Sequence, residues 1–106
     1  MSEGLARWFA YIAVCGDGSF YVGHTQDLVE RLGLHNSGEG AQWTALRRPV
    51  TLAYWEPFAC EREAVRREAQ WKRWSRAKKQ ALIGGDLERL VDLSRRHLPV
   101  EPETAN

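Results

Sequence analysis

"RWFAYIAVCGDGSFYVG", residues 7–23, holds two short runs rich in aromatic and β-branched residues, joined through Gly-Asp-Gly. That grouping predicts a β-hairpin, and its register decides which side chains share a face. A two-residue loop at Asp17-Gly18 pairs Val14 with Tyr21 and sends Tyr11 and Tyr21 to opposite faces. A three-residue loop, Gly16-Asp17-Gly18 with Gly18 left-handed, pairs Ala13 with Tyr21 and Tyr11 with Gly23, so both tyrosines share a face. The sequence leaves both registers open.

Downstream, "TQDLVERLGLHN" (25–36) predicts a short amphipathic helix with Thr25 as the capping candidate, Asp27 in the first turn, and Leu28, Val29 and Leu32 on one side. Arg31 flanks the apolar stripe and His35 lies near its edge. "NSGEGAQWTALRRP" (36–49) is expected as a Gly-rich loop, and "VTLAYWEPF" (50–58) as a third strand ending before Pro57. A helix over 61–74 follows. Ser75 then caps a second helix that Gly84-Gly85 stops, and "LERLVDLSRRH" (87–97) makes a third. The order β-β-α-β-α-α-α predicts an α+β fold, a small, mostly antiparallel three-stranded sheet flanked by helices. We expect one domain over residues 1–98, with its core at 8–83 and a disordered tail at 99–106.

Composition narrows the function. A chain of 106 residues, 43% hydrophobic and with five Trp, suits one core. No stretch approaches the roughly 20 apolar residues of a membrane span, and "MSEGLARW" lacks the plan of a signal peptide, so the expected location is cytoplasmic and no membrane partner is expected. Cys15 and Cys60 have no CxxC or His companion, and each reads as a small buried apolar residue. Residues 61–80 carry eight Lys/Arg against three Glu, a local +5, while the net charge of the whole chain is only +1. A basic block in a near-neutral domain suits either a polyanion or a solvated helix face.

Within "EREAVRREAQWKRW" (61–74) one residue is out of place. With Ala64 at zero and about 100° per residue, Trp71 falls near −20°, Val65 near 100° and Ala69 near 140°. Glu68 falls near 40°, inside that apolar arc. A carboxylate there is costly unless paired or metal-bound; Lys72, four residues on, is the simple partner.

"FAYIAVCGDGSFYVGHTQDLVERLGLHNSGEGAQWT", with "RRPVTLAYWE" and "EREAVRREAQWKRWSRAKKQAL", resembles the GIY-YIG nuclease superfamily, most closely its small bacterial single-domain members. The similarity runs from about Trp8 to about Leu82. Phe9-Ala10-Tyr11 stands for Gly-Ile-Tyr and Tyr21-Val22-Gly23 for Tyr-Ile-Gly, followed in order by an arginine and a glutamate. The resemblance implies a metal-dependent endonuclease in which Tyr11, Tyr21, Arg31 and Glu68 belong to the catalytic group and Glu68 alone holds the metal, Mg²⁺ or Mn²⁺; His35, on the same helix as Arg31, is added to that group as a candidate phosphate contact. It also implies a nucleic-acid substrate, DNA ahead of RNA, single-stranded or branched, cut with low sequence specificity in a setting such as DNA repair. The chemistry suits these types. A hard cation keeps several waters, so one carboxylate plus phosphate can suffice, and Arg31 offers a planar fork to phosphate oxygens. Tyr11 is a candidate to orient or deprotonate water, for which a nearby cation would have to lower its ordinary pKa of about 10.

Each residue also has a plainer role. A strand tyrosine is usually a packed ring, His35 can cap a helix C-terminus, His24 is expected to be incidental, and Trp71 and Trp74 are expected in a core. Gly38 and Gly40 either let a nucleic-acid backbone approach or make turns. Arg47, Arg48, Lys72, Arg73, Arg76, Lys78 and Lys79 are the phosphate-contact candidates. The alternative function is a catalytically inactive nucleic-acid-binding module of the same fold; a protein-interaction domain is the third reading.

Overall fold

A computed structural model describes residues 7–96. Within the span read as one domain, the chain packs as two compact units, Met1–Arg73 and Trp74–Asn106; the tail expected at 99–106 lies outside the described residues. The first unit is built on the antiparallel sheet β2-β1-β3, with β1 (Trp8–Val14) central, β2 (Phe20–Thr25) on one side and β3 (Thr51–Phe58) on the other.

The hairpin takes the three-residue loop. Ala13 pairs with Tyr21 and Tyr11 with Gly23, the Cys15 amide donates to the Ser19 carbonyl, and Gly18 is left-handed at φ 86°. A side chain at Gly18 would be strained, so the Asp-Gly signal is what fixes the register. Both tyrosines therefore lie on one face. That face carries the cluster of Tyr11, Ala13, Cys15 and Val50, against which Tyr21, Leu28, Leu32 and Leu52 pack; Leu28 and Leu32 belong to α1 (Leu28–Ser37). The opposite face presents Ala10, Ile12, Val22 and His24 by alternation along the strands.

α3 (Glu61–Lys72) covers that opposite face. The Trp71 ring meets Tyr54 edge-on at 5.7 Å, Arg67 pairs with Glu56, and Glu68 meets His24. One expectation about this helix needs correction. Its inward stripe is Ala64, Arg67, Glu68 and Trp71, the i, i+3, i+4, i+7 set, while Val65 and Ala69, placed in the apolar arc, are exposed. Trp71 is fully buried, so Trp71→Ala should cost about 3–5 kcal/mol. A denaturation midpoint unchanged from wild type would contradict this packing.

Several local readings shift. Asp27, not Thr25, caps α1: its Oδ1 accepts from the Glu30 amide, while Thr25 Oγ1 accepts from the Asp27 amide. Gly38, left-handed at φ 87°, ends the helix and so serves a turn. A four-residue helix α2 (Gln42–Ala45) interrupts the expected loop. The third strand runs through Pro57, which an outer strand tolerates. Cys15 is buried as expected, but Cys60, at the N-cap of α3, is exposed.

The second unit is the helix pair α4 (Arg76–Gly84) and α5 (Leu87–Arg96). Ser75 Oγ accepts from the Lys78 amide and left-handed Gly85 closes α4, both as the sequence predicts. No described helix is long and apolar enough to cross a membrane.

Candidate active site

Register and one missing side chain build the centre of the site. Tyr11 leans across β2 over Gly23, where a Cβ would come within 2.6 Å of the Tyr11 hydroxyl oxygen and 2.8 Å of Cζ. The Tyr-Val-Gly glycine is thus the seat of the first-strand tyrosine. Because Tyr11 is fully buried and its ring has no room to retreat, Gly23→Ala should lower stability by about 1–3 kcal/mol and displace the hydroxyl. A variant with wild-type stability and full function would rule out that seat.

The Tyr11 hydroxyl lies 2.9 Å from His35 Nε2. His35 arrives there from the last turn of α1 and is also fully buried. Its other nitrogen, Nδ1, lies 2.8 Å from Thr44 Oγ1, in α2. Tyr21 stands over the His35 ring at 4.9 Å, edge to face, and stacks on Trp43 at 6.1 Å. Burial pushes the Tyr11 hydroxyl up to about 12, against the pull of the Arg31 guanidinium; the Tyr21 oxygen and the Glu68 carboxylate add to the rise. Burial would lower Arg31, but hydrogen bonding to the Tyr11 and Tyr21 oxygens outweighs it and holds the guanidinium charged. Burial, then the Arg31 charge, push His35 down, so the imidazole is neutral. Tyr11, Tyr21, Arg31 and His35 form one constellation.

Glu68 comes from the other side of the sheet. Its Oε1 lies 2.5 Å from His24 Nδ1 and its Oε2 2.7 Å from Lys72 Nζ. His24 also approaches Glu61, Nε2 to Oε2 at 3.5 Å, and its ring leans on Trp8. Lys72 is the i+4 partner the sequence suggests, and the hydrogen bond to Glu68 raises its pKa. Both Glu68 and His24 belong to the β2 side, since His24 is in that outer strand, and Glu68 is close enough to influence Tyr11 across it. Among the described residues no group of three or more His, Cys, Asp or Glu could hold a metal ion. The donor set at Glu68 is one carboxylate beside one imidazole, guarded by a lysine whose side chain is 59% exposed and free to swing. That suits a hard cation that completes its shell with water and phosphate.

A polar depression of about 350 Å³ adjoins these groups, lined by Trp8, His24, Thr25, Asp27, Glu30 and Arg31 among others.

The phosphate-contact candidates fare unevenly. Lys72, Arg73 and Arg76 are exposed. Arg47 is spent on Asp17 at 3.3 Å, the Trp43 carbonyl and the Trp43 ring face. Arg48 binds the Ala45 carbonyl and reaches that of Asn36. Lys78 is a correction: it is 8% exposed, with its ammonium 4.3 Å over the Trp74 ring, because at the N-terminal turn of α4 its aliphatic stem packs inward. Lys79 is half-buried, and burial lowers its pKa.

Two participants escaped the sequence reading. His24, expected to be incidental, bonds Glu68; its pairing with Ala10 on the face opposite Tyr11 was the available signal once the register was known. Thr44 lay in a stretch expected as loop. Gly40 also has a structural task, since a Cβ there would fall 2.7 Å from His35 Nδ1.

The family described as the GIY-YIG catalytic domain matches residues 7–81. A UPF0213 protein of Bacillus pumilus is 51% identical over 75 residues, 71% of this chain and 76% of that protein. Another, of Staphylococcus saprophyticus, is 47% identical over 73% of this chain and 94% of that protein. The solution NMR structure of a UPF0213 protein from Bacillus halodurans is 40% identical, with a TM-score of 0.48, over 73% of this chain and 82% of that one.

Proposed function

The chain belongs to the GIY-YIG family, and from that membership we propose that it is a divalent-metal-dependent endonuclease that hydrolyses phosphodiester bonds in DNA, single-stranded or branched, with little sequence preference. The observation that carries this reading is the Tyr11–His35 hydrogen bond beside Arg31, with the Glu68 carboxylate near enough to bear on the same hydroxyl. A buried tyrosine, a neutral histidine and a charged guanidinium on one face supply a proton acceptor and an anion-binding group beside a single hydroxyl.

A hydroxyl pushed up to about 12 is not a free phenolate at neutral pH. Tyr11 therefore works as a relay: it takes a proton from the attacking water while its own proton passes to His35 Nε2. The water oxygen bonds phosphorus and the bond to the leaving oxygen breaks. Arg31, held charged between the two tyrosines, offers its fork to the non-bridging oxygens. Tyr21 orients the phosphate or the water by hydrogen bonding. Glu68 would hold the Mg²⁺ or Mn²⁺, with Lys72 moving aside, and the bound ion would stabilise charge on the phosphate and the leaving oxygen. Arg73 and Arg76, exposed and basic, add affinity without sequence choice.

The test is an assay of single-stranded, branched and duplex DNA and RNA with Mg²⁺ or Mn²⁺. Cutting of at least one substrate, lost on chelation, is expected. Salt-sensitive binding with no cutting of any substrate by pure protein would instead identify an inactive binding module, and flat titrations at low salt would remove nucleic acid altogether.

A further inference from the structure

His35 can carry its proton on either nitrogen, and only one choice makes it a proton acceptor for Tyr11. Thr44 decides which. Its Oγ1 lies 2.8 Å from the Ala41 carbonyl oxygen and 2.8 Å from His35 Nδ1. Two oxygens at that distance need a proton between them, and a carbonyl has none to give, so the single hydroxyl proton of Thr44 goes to Ala41. Toward His35, Thr44 is then an acceptor, and Nδ1 must be the protonated nitrogen. Nε2 is left with a lone pair, and the Tyr11 hydroxyl must donate to it. Four groups fall into one direction: Tyr11 to His35 to Thr44 to the Ala41 carbonyl.

The surroundings leave no slack. His35 and Thr44 are each 0% exposed, so water cannot substitute for Thr44 at Nδ1. Gly40 closes over the same nitrogen, where even a methyl group would collide.

We propose that Thr44 is a positioning residue for the reaction, fixing His35 as the Nδ1–H tautomer so that Nε2 stays open to the proton of Tyr11. This rests on the reading of Tyr11 and His35 as the proton-transfer pair. A threonine that merely satisfied its own turn would leave the tautomer untouched, whereas here, without the hydroxyl, Nδ1–H has no partner. The ring then gains by moving its proton to Nε2 and donating to the Tyr11 oxygen, which turns the Tyr11 proton outward and removes the acceptor.

The experiment reads the tautomer directly. ¹⁵N NMR of the imidazole nitrogens, with His35 assigned by comparison with His35→Asn, should show Nδ1–H in the wild type. Thr44→Val, close in shape, should move the signal toward Nε2–H and slow cleavage about a hundredfold; Thr44→Ser, which keeps the hydroxyl, should retain both the tautomer and most of the rate. Nε2–H in the wild type overturns the proposal, whether or not Thr44→Val folds. So does Thr44→Val with the Nδ1–H tautomer or the wild-type rate, or a Thr44→Ser variant as slow as Thr44→Val. A wild type that cuts nothing, yet shows Nδ1–H and its change in Thr44→Val, would defeat the nuclease reading and uphold the hold of Thr44 on His35.

Discussion

Glu68→Ala should abolish cleavage while leaving nucleic-acid binding and the fold in place. The carboxylate is the one acidic group of the proposed catalytic set, and several kcal/mol of charge stabilisation by a bound ion correspond to about three orders of magnitude in rate. The structural cost should be small. Of its two partners, Lys72 is mostly exposed and His24 about a third exposed, so both can turn to water. Metal-dependent cutting, a gel-shift titration and a melting curve on the same preparation decide the matter. A rate within tenfold of wild type would remove Glu68 from catalysis; a rate loss matched by a large fall in melting temperature would make it a structural residue.

The second large effect is at Tyr11. Tyr11→Phe keeps the ring on its Gly23 seat but removes the hydroxyl that bonds His35 and that the proposed relay places between water and the imidazole. Single-turnover cleavage should fall by about 10²–10⁴-fold. The orphaned Nε2 of buried His35 should also cost about 1–3 kcal/mol of stability, measurable by urea unfolding. Tyr21→Phe is the internal comparison: Tyr21 is only half-buried and does not bond His35 by its oxygen, so it should lose less stability. Equal rates for Tyr11→Phe and wild type would overturn the relay.

Much of this was legible in the residues. Runs of aromatic and β-branched residues around Gly-Asp-Gly pointed to the hairpin, Ser75 and Gly85 bounded α4, and motif order pointed to the two tyrosines, Arg31 and Glu68. What stayed hidden depends on long-range packing. Nothing local says which sheet face a helix will choose: α3 buries Arg67 and Glu68 beside Ala64 and Trp71 because Glu56 and His24 wait on that face, and a helical wheel sees none of those partners. Lys78 reads as a phosphate contact by charge, and only its neighbour Trp74 shows that its stem is buried. Thr44 was invisible because a four-residue helix leaves no periodic signal.

His35 sits at the end of a blind alley. Its ring has no solvent contact, Nδ1 faces Thr44, and Nε2 faces the tyrosine through which a proton would come. A proton taken in during bond cleavage can leave only by retracing its path through Tyr11. The catalyst would then recharge from the reaction side, either by returning the proton to the departing oxygen or by waiting until the cut strand has left. In the proposed reaction, the resting state of such a site would be restored through one exit, the Tyr11 hydroxyl, rather than by exchange of the imidazole with bulk water.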